Sequence, residues 1–376
     1  MSVQMFGIIY TGQQAPALKD LARSRAVAAL PLAGRYRAID FTLSNLVNSG
    51  ITNVGIVTQH NYHSLMDHVG SGKEWDLSRK HDGLFVLPPF VTNQSPGMYR
   101  GTLDALGSIQ SYIRRSSQEY ALYIDDTVVY NATFKQMMEF HRERKADITV
   151  LYHQEEAHIT DPNEGVTRVY LYVSEEGRIW DIEVNASAPQ TRRVSLGAYI
   201  LSKSLLMRII EDCTTRDRYD FIRDVLIRRM NDLKIYAFEH KGVTARIDTV
   251  QNYFAANRMF LDGDARTDLF SKGGPVYTKV KDEVPARYGE RGRVVNSLVA
   301  DGCVLEGYVE NSVLFRGVRV AGGVTVKNSI VMQNSEVQDG ASINYAILDK
   351  SVVVQRDRVL SGTGDFPVII RKYGIV

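Results

Sequence analysis

The chain has 376 residues, 44% of them hydrophobic, which exceeds one ordinary domain and supplies apolar material for two buried cores. A formal net charge of +2 with no lysine-rich tail or basic helix argues against a nucleic-acid binder, so the basic groups read as local anion sites. The two cysteines, Cys213 and Cys303, cannot build a disulfide framework and fit a reducing cytoplasm; no apolar run reaches the length of a membrane span, and the N-terminus shows no signal-peptide pattern.

In chain order, an apolar strand at Ile8 and Ile9 runs into a loop, Thr11 to Leu18, where a phosphate-binding α/β domain places its nucleotide cradle. Ile39, Leu43, Leu46 and Val47 share one helical face, Gly50 ends that helix, and Val54 to Val57 follows as a short strand. Leu103, Leu106, Ile109 and Ile113 stand at helical spacing. A strand at Ala121–Ile124 comes next, then a helix with Phe134, Met137, Met138 and His141, and an alternating strand through Ile148, Val150 and Tyr152. This βαβ succession predicts a mainly parallel sheet with helices on both faces, and ligands at the carboxyl ends of its strands. His60, His63 and His68 lack zinc spacing and read as a solvated loop and helix, and the methionines read as core fillers. Arg228 and Arg229 read as the solvated basic end of a helix carrying Ile222, Val225 and Leu226.

Around Gly273, Gly274 and Pro275 the composition changes, and beyond it the chain repeats. Val313, Val320 and Val326 are followed one repeat later by Ile330, Val337 and Ile343, with Asn311-Ser312 and Asn328-Ser329 in step. A near-hexad apolar repeat with short polar corners predicts a parallel β-helix; an antiparallel β domain would need longer strands and hairpin turns.

The segment Leu30-Pro31-Leu32-Ala33-Gly34-Arg35-Tyr36-Arg37-Ala38-Ile39-Asp40-Phe41, with Leu43-Ser44-Asn45 and Asn48-Ser49-Gly50, closely resembles the N-terminal signature of the ADP-glucose pyrophosphorylase (glucose-1-phosphate adenylyltransferase) family. The resemblance extends over nearly the whole chain. It implies a Rossmann-like nucleotidyltransferase α/β domain over residues 1–261, a linker over 262–290 and a left-handed parallel β-helix over 291–376. The family's cradle reads Gly-Gly-x-Gly-x-Arg-Leu; here Gly12 and Leu18 remain, while Gln13 and Ala15 replace glycines and Ala17 replaces the arginine. Triphosphates need close backbone N–H groups, which side chains at Gln13 and Ala15 obstruct and Pro16 reduces by one donor. Losing a preorganised cation of this kind typically costs about 3–4 kcal/mol of transition-state stabilisation.

The family's two Mg²⁺ aspartates correspond to Thr127 and Arg246, and its phosphate-binding lysine to Asn185. Asp126 or Asp248 would have to serve in an active enzyme with a rearranged metal site. Sugar-pocket segments are better kept, at Tyr99, Gly101 and Thr102 and at Ser195, Gly197 and Tyr199. Arg25 and Arg37, with Arg316 and Arg319, resemble the basic residues that bind phosphorylated effectors in the family.

The resemblance thus implies a non-catalytic regulatory subunit in the cytoplasm, holding no cofactor itself. Mg²⁺ and ATP would belong to a catalytic glucose-1-phosphate adenylyltransferase partner, joined in a hetero-oligomer, by family analogy a tetramer. An active nucleotidyltransferase and a stand-alone sugar-phosphate sensor are the alternatives. No nucleic acid and no membrane is expected among its partners.

Overall fold

The computed structural model describes residues 4–13, 15–89, 98–125, 127–155 and 166–376. Asp126, one of the carboxylates weighed above, lies outside the described residues. Among them, no helix is long and apolar enough to cross a membrane.

The first strand, β1 (Met5–Tyr10), is buried along its whole length, as a central parallel strand covered on both faces must be. Its period of two sends Phe6, Ile8 and Tyr10 into one core and Met5 and Ile9 into another on the opposite face. On one side β1 pairs in parallel with β2 (Asn53–Val57), which in turn pairs with β3 (Gly83–Leu87). On its other side lies β4 (Tyr120–Asp125), also parallel, with Tyr10 opposite Asp125. Beyond them come β5 (Ile148–Gln154), β6 (Val169–Val173), β7 (Ile179–Val184), β8 (Arg193–Ser202) and β9 (Ile235–Glu239). β8 runs antiparallel to β4, β5 and β6, and β9 is parallel to β5, so that the described residues form a sheet of nine strands.

Helix α1 (Ala38–Asn48) opens where the Asp40 carboxylate accepts the Arg37 N–H at 3.0 Å, and it ends before Gly50, as the sequence predicts. The helical spacing from Leu103 to Ile113 resolves into two pieces, α2 (Thr102–Ser108) and α3 (Gln110–Arg115), broken at Ile109, whose φ of −102° and ψ of 17° are not helical. Helix α4 (Lys135–Glu143) buries Met137, Met138 and His141.

The C-terminal region stacks three parallel sheets of five strands each, the faces of a β-helix. Val313 pairs with Ile330 and Ile330 with Ile347, while Val320, Val337 and Val354 form a second inward column. The repeated Asn-Ser has a physical cause. Asn296, Asn311 and Asn328 turn corners at φ of 41°, 48° and 45°, a left-handed conformation asparagine tolerates better than most residues. Each following serine accepts the backbone N–H of the next coil: Ser312 from Ser329, and Ser329 from Ala346, both at 3.1 Å.

The segment expected to be a linker contains a helix, Gly263–Ser271, whose Leu269 is buried, and the first β-helix strand, Arg287–Tyr288. The two regions share a core in which Phe41, Phe254 and Phe260 meet Phe315, Ile330 and Met332. Across that junction Arg25 makes a two-pronged ion pair with Asp349, at 2.8 and 2.7 Å, with both side chains almost wholly buried.

Candidate functional site

At the carboxyl ends of β1 and β4 lies a cavity of about 460 Å³. Its walls depend on close backbone approaches. Strand β8 shifts register between Ser195 and Tyr199 to wrap the end of β4, and this bulge needs Gly197, at φ 72°, where a Cβ would sit 3.0 Å from the Asp125 Cβ. At Gly101 a Cβ would lie 2.4 Å from the Tyr219 carbonyl oxygen, so only glycine lets the two segments touch. Thr102 locks the same contact by accepting the Phe221 N–H at 3.1 Å, and Ser195 Oγ accepts the Gly197 N–H at 3.1 Å. The Tyr123 and Tyr199 rings stack with centroids 5.7 Å apart, and Phe221 packs against both.

The cavity gathers most of the residues singled out from sequence: Gln13, Ala15, Thr127, Arg246 and Asp248 face it together with Gly101, Thr102, Ser195, Gly197 and Tyr199. Ala17, Tyr99 and Asn185 are not among its lining residues. Ala17 belongs to a short 3-10 turn, Pro16–Leu21, and the Tyr99 hydroxyl accepts from Ser108 at 3.0 Å. Asn185 takes a left-handed φ of 54°, and its Oδ1 accepts the Arg168 N–H at 2.7 Å, so it extends the pairing at the open end of β6 and β7.

Two arginine–carboxylate pairs stand at the cavity. Arg246 is held by Glu155 at 2.6 Å and donates to the Ser195 carbonyl at 3.2 Å. Asp248, the carboxylate of the rearranged-site alternative, is bound by Arg168 and accepts from Asn252 at 2.7 Å. Burial alone would raise the Asp248 pKa, but Arg168, Asn252 and Arg246 together bring it below the ordinary aspartate value. Thr127 offers magnesium a neutral oxygen, Arg246 a positive charge, and Asp248 a carboxylate already neutralised by an arginine. These residues do not fit the ion, which needs hard anionic oxygens bridging to phosphates. Arg168 and Glu155 carry this arrangement and could not be picked out from sequence, because their partners lie 80 and 91 residues away.

The effector candidates separate as well. Arg25 is committed to Asp349, and Arg319 is exposed on a face of the β-helix. Arg37 donates to the Ser64 carbonyl and, at 3.0 Å, to its hydroxyl. Arg316 is 4% exposed, its nearest carboxylate oxygen, on Asp301, is 3.9 Å away, and its buried Nε and Nη2 have no hydrogen-bond partner among the described residues. Burial and nearby Arg35 push its pKa down, which marks a cation short of compensating negative charge. Gln13 and Ala15 also face a second cavity of about 560 Å³ that Arg25 and His60 help to line.

Two surface readings need correction. His68 is buried, bonded to Asp40 and set edge-on to Trp75, because the short helix His63–Val69 packs that side inward. Arg229 pairs with Asp212 and donates to Cys213 Sγ, so it anchors its helix instead of projecting into water. Among the described residues no group of three or more His, Cys, Asp or Glu side chains is placed to hold a metal ion.

A nucleotidyl transferase family model matches residues 6–261, and a GlmU-like C-terminal hexapeptide model matches residues 282–362. The chain is 35% identical over 375 residues to the glycogen biosynthesis protein GlgD of Bacillus subtilis (strain 168), covering 98% of this chain and 96% of that one. With GlgD of Geobacillus stearothermophilus the identity is 38% over 372 residues, covering 99% and 97%. A glucose-1-phosphate adenylyltransferase of Clostridium novyi (strain NT) is 32% identical over 332 residues, covering 87% and 84%.

Proposed function

We propose, from the premise that the chain belongs to the nucleotidyl transferase family, that it is a non-catalytic, regulatory subunit of a glucose-1-phosphate adenylyltransferase in bacterial glycogen synthesis. The observation that carries this reading is the double ion pair at the cavity, Arg246 with Glu155 and Arg168 with Asp248. In this reading the partner binds ATP and Mg²⁺ and forms ADP-glucose from ATP and glucose 1-phosphate, while this chain adjusts the partner's activity. Phosphoryl transfer depends on positioning and on stabilising charge, so a cavity with arginine at a metal position and a blocked cradle lacks both.

The likeness to the two GlgD proteins along almost their whole length supports the glycogen assignment. Regulation has a second support in Arg316, whose unsatisfied buried nitrogens at the junction suit the phosphate of an effector. The test is an assay of the purified chain alone with ATP, glucose 1-phosphate and Mg²⁺. Negligible ADP-glucose formation is expected; turnover at the rate of a catalytic homologue overturns the reading.

A further inference from the structure

We propose that the exposed rings of Trp180 and Tyr172, on the hairpin of β6 and β7, form a surface site for an α-glucan chain, separate from the cavity. The choice of a glucan rests on the glycogen reading above; the site itself rests on the geometry of the hairpin.

Strand β7 stands at one end of the sheet, and its pairing with β6 slips between Ile179 and Asp181. Ile179 lies opposite Val173 and Asp181 opposite Tyr172, so Trp180 is the extra residue of a bulge. A bulge breaks the alternation of faces and re-aims a side chain. Ile179 and Ile182 remain in the core, while Trp180 and Asp181 both turn to water, the indole 61% exposed. Tyr172 enlarges this apolar surface, its ring 5.4 Å from the indole and tilted to it by 58°. That ring is preset: its hydroxyl donates to Glu183 at 2.7 Å and accepts the Gln190 N–H at 3.2 Å. Val169, on the same strand, lines the cavity, but Tyr172 is three residues further on, roughly 10 Å at about 3.3 Å per residue, and on the opposite face.

Charge and shape select the occupant. Between Val169 and Val184 the hairpin carries Glu175, Glu176, Asp181 and Glu183 against one arginine, Arg178. Asp181 accepts the Ile182 N–H and Glu183 the Tyr172 hydroxyl, both neutral donors, so the hairpin keeps a net negative charge. A second copy of this chain on the same face would set like charges together, and the bulge interrupts the edge that an added strand would need. An uncharged chain meets neither obstacle. α-1,4 links wind a glucan so that successive sugar rings present inclined apolar faces, as the two side chains do, while hydroxyls at the rim donate to carboxylate oxygens. A glucan held here would tether the proposed complex to the polymer being built.

The chain has two tryptophans, and Trp75 is only 2% exposed, so ligand-induced changes in emission and acrylamide quenching report Trp180. The full chain is titrated with maltoheptaose, cellohexaose and an oligoarginine peptide, and is run on native gels with and without glycogen. Saturable maltoheptaose binding at about millimolar Kd or tighter is expected, with cellohexaose, a flatter chain, about tenfold weaker. Glycogen should retard the chain. Trp180→Ala should remove the retardation at an unchanged melting temperature, and Tyr172→Phe, which keeps the ring, should preserve it. No saturable maltoheptaose binding, equal binding of cellohexaose, retardation that survives Trp180→Ala, or Trp180-dependent binding of the peptide alone would overturn the proposal. No partner subunit or nucleotide is used, so failure here leaves the subunit reading standing, and failure to form a hetero-oligomer leaves the glucan titration readable.

Discussion

Arg25 shows how far a single residue can be understood from sequence. Its position pointed to a phosphate ligand, yet its charge is spent on Asp349, 324 residues away, in an ion pair that crosses the domain junction. Removing one member of such a pair strands a buried charge, so Asp349→Ala should cost about 3–5 kcal/mol in urea unfolding. Lys350, the next residue, gives a pH prediction. Burial, then the charges of Arg37 and Arg25, pushes its ammonium down from 10.5 to about 7. The folded chain therefore holds it neutral where the unfolded chain protonates it. Its contribution to stability rises with pH between about 7 and 10.5 and is unfavourable below that window. Urea unfolding at pH 7 and pH 9 should show this rise, and Lys350→Gln should flatten it.

At the scale of elements, what repeats locally was legible and what depends on distant partners was not. The inward valines and the Asn-Ser corners disclosed the β-helix because the middle coils meet their neighbours at one shared sequence offset. The break at Ile109 was hidden, since the apolar spacing from Leu103 to Ile113 continues across it. The arginine–carboxylate pairs at the cavity were hidden too, since their partners lie far apart in the chain. Ser329→Ala leaves the Ala346 N–H without its acceptor in a buried corner and should destabilise the β-helix by about 1–3 kcal/mol, measured by denaturant unfolding. Restoring the loop alone, with Gln13→Gly, Ala15→Gly and Ala17→Arg, should leave the chain inactive in an ADP-glucose assay. The Arg246–Glu155 and Arg168–Asp248 pairs at the cavity would remain.

The whole molecule keeps the architecture of a nucleotidyl transferase, with two arginine–carboxylate pairs at its cavity. Sequence pattern conveyed the two-domain plan, but not how firmly the parts are joined through Phe41, Phe254, Phe315 and the Arg25–Asp349 pair. A shared core and a buried ion pair at the junction would suit the proposed subunit role, because a partner responds only to differential binding of its active and inactive states. Acid should loosen that shape. Burial lowers His141 and His240 from 6.5 to about 4, so stability is lost as pH falls through this window, by about 2 kcal/mol per histidine at pH 5. Urea unfolding at pH 7.5 and pH 5 checks this.

The most direct measurement of the partner-subunit claim is a titration of a catalytic glucose-1-phosphate adenylyltransferase from the same cell with increasing amounts of this chain. Activity and light-scattering mass are followed on the same samples. Co-elution as a hetero-oligomer at micromolar concentration is expected, with activity or effector affinity changing until a fixed ratio is reached. Separate elution with a flat activity curve would contradict it.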